Sequence, residues 1–190
     1  MEARLQGAAE PPQVLNLFAY TGGATLAAAR AGAKVCHLDA SRAAVAWARE
    51  NAARNSLQEK PIRWIVEDVV KFLHREVKRG VRYDGIILDP PSFGRGRQGE
   101  VFKIERDLQE ILQLCRQLLT PRPLFVIFTS HTPGFTPLVM QHLLQQTLIG
   151  IKGGVLEAGE MVLPVQAQEK EQSILAVPSG TFARWSYARA

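Results

Sequence analysis

The sequence predicts an α/β fold, a mostly parallel sheet with helices on both faces, and three observations point to it. From Val14 onward, short apolar runs alternate with longer amphipathic ones. The apolar runs are continuous rather than alternating, as strands buried on both faces are. Strand, helix and strand then repeat in the order that parallel crossover units require. Residues 1–13, rich in Ala, Glu, Gln and Pro, read as a lead-in to one domain spanning 14–190.

Strands are expected at 14–18, 34–38, 62–66, 83–88 and 124–129, with helices at 24–31, 41–55, 69–79 and 104–119. The first helix is built of small residues, which lets it lie close to the sheet. In the second, Ser41 is placed to cap the first turn, the alanines between Ala43 and Ala53 favour helix, and Trp47 is one large group available to pack. Gly32, Pro61 and Gly80 mark element ends. Past Thr129 the pattern weakens. A helix is expected within 133–150, and 155–165 with 173–177 read as a terminal antiparallel pair joined by the polar stretch 166–172.

With 46% hydrophobic and 22% charged residues, the composition is that of a globular protein and excludes collagenous, disordered and coiled-coil readings. No apolar run approaches the roughly 18 residues that span a bilayer. The opening residues carry no apolar segment of the secretory kind, so the chain is expected in the cytoplasm, with no membrane partner. Cys36 and Cys115 are too few for a disulfide framework and lack the paired spacing of a zinc site, so no metal is expected. The 23 basic residues against 18 acidic give +5, which favours a polyanionic partner. Nothing in the sequence points to an oligomeric state.

In an open doubly wound sheet, ligands bind outside the carboxyl ends of the strands. The first strand ends at Phe18, and Ala19-Tyr20-Thr21-Gly22-Gly23 follows. The two glycines allow close backbone approach and the next helix offers free amides to a polar ligand group, although a plain tight turn would read the same way. Asp39, followed by Ala40 and Ser41, stands at the end of the second strand, roughly 20 residues beyond the glycine pair, where an acid accepts hydrogen bonds from ribose hydroxyls. A strand-end or capping role is the alternative. Asp68, ahead of Val69, would meet an adenine amino group or cap the next helix. The most informative loop is Asp89-Pro90-Pro91-Ser92-Phe93. Its double proline removes amide donors and fixes the backbone, leaving carbonyl oxygens beside an acid where an amine or planar base would dock, with Phe93 available to stack.

Between Gly94 and Arg106, the residues Arg95, Arg97, Lys103 and Arg106 are interspersed with glycines. This reads as a mobile basic loop beside the pocket, suited to phosphates, or as an ordinary solvated loop. Phe102 is a candidate wedge or stacking group.

Together these residues resemble the class I S-adenosylmethionine-dependent methyltransferases. More narrowly, Val14-Leu-Asn-Leu-Phe-Ala-Tyr-Thr-Gly-Gly, Asp39-Ala-Ser and Asp89-Pro-Pro-Ser-Phe-Gly-Arg-Gly resemble the catalytic domain of the bacterial 23S ribosomal RNA methyltransferases related to the cytosine-carbon-5 enzymes. The resemblance implies a Rossmann-like, mostly parallel seven-stranded sheet with helices on both faces and an antiparallel C-terminal strand. It implies that Phe18 and Tyr20 to Gly23 hold the methionine part of S-adenosyl-L-methionine, Asp39 with Ala40 and Ser41 the ribose, and Asp68 with Val69 the adenine. Asp89 to Phe93 would then meet the target base, and Arg95, Arg97, Lys103 and His131 would face the substrate, ribosomal RNA. Full-length relatives carry an additional amino-terminal substrate domain, which this chain, with 13 residues ahead of its first strand, is expected to lack.

The target position departs from the carbon-5 enzymes. Carbon 5 of cytosine is too weak a nucleophile to be methylated without attack by a cysteine thiolate at carbon 6. The positions where relatives place that cysteine read Thr129-Ser130-His131 and Asp89-Pro90-Pro91-Ser92, whereas Cys36 falls in a strand and Cys115 on an apolar helix face. A nitrogen target needs no protein nucleophile, because its own lone pair attacks the sulfonium methyl in line. Asp89 and the Pro90 carbonyl would orient such an amine. His131, of a residue type that exchanges protons near neutral pH, would assist proton removal or lie at the surface as a cap. Direct methylation of an RNA base is the expected activity. The same cofactor loops would also serve a methyltransferase of DNA, protein or a small molecule, or a binding module inactive without a separate substrate domain.

Overall fold

Both faces of the parallel strands are covered by helices, which is why their sequences show no alternation. The computed structural model describes residues 10–95, 101–164 and 176–187. In chain order the elements are β1 (Gln13–Leu17), α1 (Gly23–Arg30), β2 (Lys34–Asp39), α2 (Arg42–Arg54), β3 (Ile62–Val66), α3 (Val69–Lys78), β4 (Gly85–Leu88), β5 (Phe93–Arg95), β6 (Val101–Lys103), α4 (Ile104–Leu118), β7 (Phe125–Ser130), α5 (Pro137–Thr147), β8 (Gly154–Pro164) and β9 (Ala176–Tyr187). Seven strands form one sheet in the order β3-β2-β1-β4-β7-β9-β8. The first five in that order run parallel, and β9 lies antiparallel between β7 and β8. The expected sheet is found. Among the described residues no helix is long and apolar enough to cross a membrane.

On one face, Leu15, Leu38, Leu88 and Phe128 pack with Phe72 of α3, Ile111 of α4 and Met140 of α5. On the other, Val14, Val35, Ile87 and Phe125 pack against Ala28 and Ala29 of α1. The small residues of α1 let it approach the sheet as the sequence implies. Gly85 makes room for the Phe125 ring on the neighbouring strand, since a Cβ there would lie 2.5 Å from it.

Trp47 corrects an expectation, for it is 55% exposed and the buried face of α2 is Ala44, Val45, Ala48 and Ala52. The turn before α1 lies over that face, and Gly22, at φ 90°, would bring a Cβ within 3.0 Å of the Ala48 methyl. Only small groups fit there, so the indole is left outside.

Ser41 and Asp68 cap α2 and α3 by accepting from the amides of Ala44 and Lys71. Thr136 caps α5, which therefore starts at Pro137, within the stretch where a helix is expected. The terminal pair is longer than expected. Its second strand continues to Tyr187, through Gly180 at φ 126°, because it pairs with β7 as well as β8, the latter past a register shift at Met161/Val162. The linking stretch 166–172, residues 173–175 and lead-in residues 1–9 lie outside the described residues. The expected mobile loop is instead a hairpin at its two ends: β5 pairs antiparallel with β6 through Phe93↔Lys103 and Gly94↔Phe102. Residues 96–100, Arg97 among them, lie outside the described residues.

Candidate active site

The chain moves outward from β1 to β2 and β3, then returns to place β4 on the other side of β1. A crevice forms where strand order reverses in this way. A cavity of about 770 Å³ opens there, at the carboxyl ends of the strands. Its wall brings together Phe18, Tyr20, Asp39, Ala40, Ser41, Asp68, Val69, Asp89, Pro90, Pro91, Ser92, Arg95 and His131, all expected from the sequence, with Phe102 and the unanticipated Arg42.

The turn after β1 is strained. Phe18 at φ 55° and Tyr20 at φ 46° occupy the left-handed region, at a cost of about 1–3 kcal/mol each. Four hydrogen bonds hold it: Ala19 N to Leu38 O (3.0 Å), Gly22 N to Ala19 O (2.9 Å), Tyr20 N to Asp39 Oδ2 (2.9 Å) and Asn51 Nδ2 to Thr21 O (3.0 Å). Thr21, Gly22 and Gly23 do not line the cavity, because the chain bends back there onto α2. Beneath the turn is a buried polar chain that the sequence reading missed. Asn16 Nδ2 donates to Thr25 Oγ1 at 2.8 Å, and Thr25 Oγ1 lies 2.8 Å from His37 Nδ1. Burial, reinforced by the Arg49 charge, lowers the His37 pKa to about 4 and keeps the ring neutral. Only its place opposite Asn16 in the sheet register brings it under the turn.

Asp39 is fixed by two amides: Tyr20 N on Oδ2 and Ser41 N on Oδ1 at 2.8 Å. Each oxygen keeps acceptor capacity for a hydroxyl. Asp68 Oδ1 accepts from Lys71 N at 3.0 Å, so the capping reading holds while the same carboxylate borders the cavity. Neighbouring Glu67 is occupied by Arg75 at 2.5 Å.

At the opposite end, Ser92 Oγ lies 2.8 Å from Thr132 Oγ1, and His131 Nε2 is 3.9 Å from Asp89 Oδ1. Phe93 does not stack into the cavity. It is 49% exposed, with the Arg95 guanidinium 5.9 Å from its ring centroid. The hairpin register explains this: Gly94 pairs with Phe102, whose ring faces the cavity and packs at 5.2 Å on Phe18, while Phe93 and its partner Lys103 stay outside. Both cysteines are buried and absent from the wall. Burial raises the thiol pKa to about 11 for Cys36, against the lowering effect of Arg63, and to about 12 for Cys115.

Comparison with known proteins gives the family. A family model for S-adenosylmethionine-dependent methyltransferases matches residues 2–146. The chain is 33% identical over 182 residues to the ribosomal RNA large subunit methyltransferase I of Aeromonas salmonicida, which covers 94% of this chain and 44% of that protein. It is 41% identical over 119 residues to the ribosomal RNA large subunit methyltransferase K/L of Syntrophotalea carbinolica, covering 62% of this chain and 16% of that one. The crystal structure of the SAM-dependent methyltransferase from Agrobacterium tumefaciens superposes with a TM-score of 0.91 at 40% identity, over 97% of this chain and 59% of that one. The chain thus spans less than two thirds of each of these relatives. With the family matched over most of its length and the cavity at the reversal of strand order, the chain belongs to the S-adenosylmethionine-dependent methyltransferases.

Proposed function

We propose that this chain, through a domain spanning 14–190, methylates a nitrogen of an RNA base, in ribosomal RNA, using S-adenosyl-L-methionine. One observation carries the reading: the Asp39 carboxylate and the Asp89-Pro90-Pro91 corner open into the same cavity. The relatives named for ribosomal RNA and the charge of +5 support the substrate class. The residues fit the cofactor, since a pre-oriented carboxylate stands beside an apolar wall of Phe18, Leu38 and Val69, as a nucleoside requires.

When bound, S-adenosyl-L-methionine supplies a methyl group on a positively charged sulfur. Asp39, with Ala40 and Ser41, would hold the ribose, and Asp68 with Val69 the adenine. Phe18 and Tyr20 would hold the methionine portion, with Thr21 to Gly23 shaping the turn behind them. Asp89 and the Pro90 carbonyl would orient the target amine and meet the positive charge that develops on it. Pro91 and Phe102 would exclude water, which strengthens those interactions. Arg95 and Lys103 on the hairpin would meet RNA phosphates, a role the sequence also offers to Arg97. The cysteines support a nitrogen target, since neither buried thiol borders the cavity to attack a ring carbon. The direct transfer needs no metal, and the chain would act in the cytoplasm.

Incubation with labelled cofactor and undermodified ribosomal RNA, followed by mass spectrometric mapping, tests this. Label on a base nitrogen is expected, and Asp89→Ala should abolish it without altering the fold. Full labelling by that variant, or label on DNA, protein or a small molecule alone, would overturn the assignment.

A further inference from the structure

We propose that His131 takes the proton given up by the methylated amine, and that Thr132 is the positioning residue that holds it beside Asp89 at the cavity wall. The inference rests on the methyl-transfer reading above. At 3.9 Å, His131 Nε2 and Asp89 Oδ1 are too far apart to satisfy each other. Both border the cavity, so a substrate nitrogen lying off the line that joins them, toward the cavity, is within hydrogen-bond reach of both acceptors at once.

The backbone that carries His131 is held from two directions. Thr132, only 9% exposed, joins its hydroxyl to Ser92 Oγ at 2.8 Å and so ties the turn after β7 to the double-proline loop. Its amide donates to Ser130 Oγ at 3.2 Å, closing the turn around His131. From below, β9 passes against the ring. A Cβ on Gly180 would lie 2.8 Å from Ser130 O and 2.9 Å from His131 Nδ1. Only glycine permits that approach, and at φ 126° only glycine adopts the backbone readily. With Nδ1 backed against β9, Nε2 is the nitrogen nearer Asp89.

The chemistry asks for such a group. As the nitrogen–carbon bond forms and the carbon–sulfur bond breaks, the electron pair of that bond stays on sulfur and the positive charge passes to nitrogen. Loss of one proton from nitrogen to His131 Nε2 leaves a neutral methylated amine, and the imidazolium returns the proton to solvent. General-base assistance of this kind contributes about a hundredfold or more.

The test measures labelled methyl transfer to undermodified ribosomal RNA, with cofactor and RNA affinities determined separately. His131→Gln should lower kcat about a hundredfold, and Thr132→Val about tenfold, both with unchanged affinities. Thr132→Ser, which keeps the hydroxyl, should restore the rate. Thr132→Val should cost nothing further in the His131→Gln background, as expected if it acts through the histidine. Independently of turnover, the imidazole 15N resonances of His131 in cofactor-free protein should move in Thr132→Val and in Gly180→Ala, but not in Thr132→Ser. Undiminished kcat in His131→Gln or Thr132→Val, or equal losses from Thr132→Val in both backgrounds, would overturn the inference. Loss of transfer in Asp89→Ala alongside an unaffected His131→Gln would sink this inference and leave the methyl-transfer reading standing. Full transfer in Asp89→Ala would sink both.

Discussion

The ring of Phe102, carried on the β5–β6 hairpin, lies 5.2 Å from the ring of Phe18, at an interplanar angle of 52°. Phe18 opens the strained turn on the cofactor side, so the hairpin is joined to that turn by one aromatic pair. A tilted pair of this kind contributes about 1 kcal/mol beyond its buried area. Phe102→Ala is therefore expected to weaken S-adenosyl-L-methionine binding by about fivefold, measured by calorimetric titration. Unchanged affinity would mean that the hairpin and the turn act independently.

Asp39 accepts the Tyr20 and Ser41 amides on different oxygens, which an amide side chain cannot do, since one of its two terminal groups is a donor. Asp39→Asn should lose at least one of these bonds, at a cost of about 1–3 kcal/mol in stability. Cofactor affinity should fall at least tenfold, on the same order of free energy. Denaturant titration and binding measured on the same preparation separate the two effects.

Gly22 meets two constraints at once, a left-handed backbone and a methyl group 3.0 Å from where its Cβ would be. Gly22→Ala is expected to destabilise the fold by about 1–2 kcal/mol. Gly23→Ala, with no neighbour within 4 Å of the added methyl, should be close to neutral. Equal midpoints for the two variants in urea would contradict this account.

His37 ties stability to pH. Its pKa falls from 6.5 to about 4 on folding, so the unfolded chain binds the proton first. The stabilisation is fully present above pH 6.5 and is lost as pH falls toward 4, amounting to about 3 kcal/mol over the window. Unfolding free energy should decline by up to about 1.4 kcal/mol per pH unit within it, and His37→Gln should remove that slope. A slope that persists in the variant would assign the proton to another group.

The parallel core was legible because its signal is local. Continuous apolar runs mark β1 to β4 and β7, and Ser41 and Asp68 announce the helices they cap. The acids of the cavity were legible for a related reason: strand ends are readable, and Asp39, Asp68 and Asp89 all follow one. What stayed hidden depends on contacts between distant segments. Ser92 finds Thr132 across forty positions, and Phe102 reaches Phe18 only once the hairpin register is set. Trp47 misled because a large apolar side chain reads as core, whereas the turn over α2 admits only methyl groups. Phe93 misled because its sequence position beside the prolines says nothing of which side of the hairpin it takes.

The place of β9 governs how this chain folds as it is synthesised. It is inserted between β7 and β8, both of which precede it, and β8 pairs with no other strand of the sheet. Until β9 leaves the ribosomal exit tunnel, β7 keeps a bare edge and β8 has nothing to join. Closure then depends on pairings distant along the chain, which form late because loop-closure entropy opposes them. A nascent chain stalled with β9 still inside the tunnel should therefore expose an unpaired strand edge to chaperones, and a C-terminal linker long enough to carry residues 176–187 out of the tunnel should hide it.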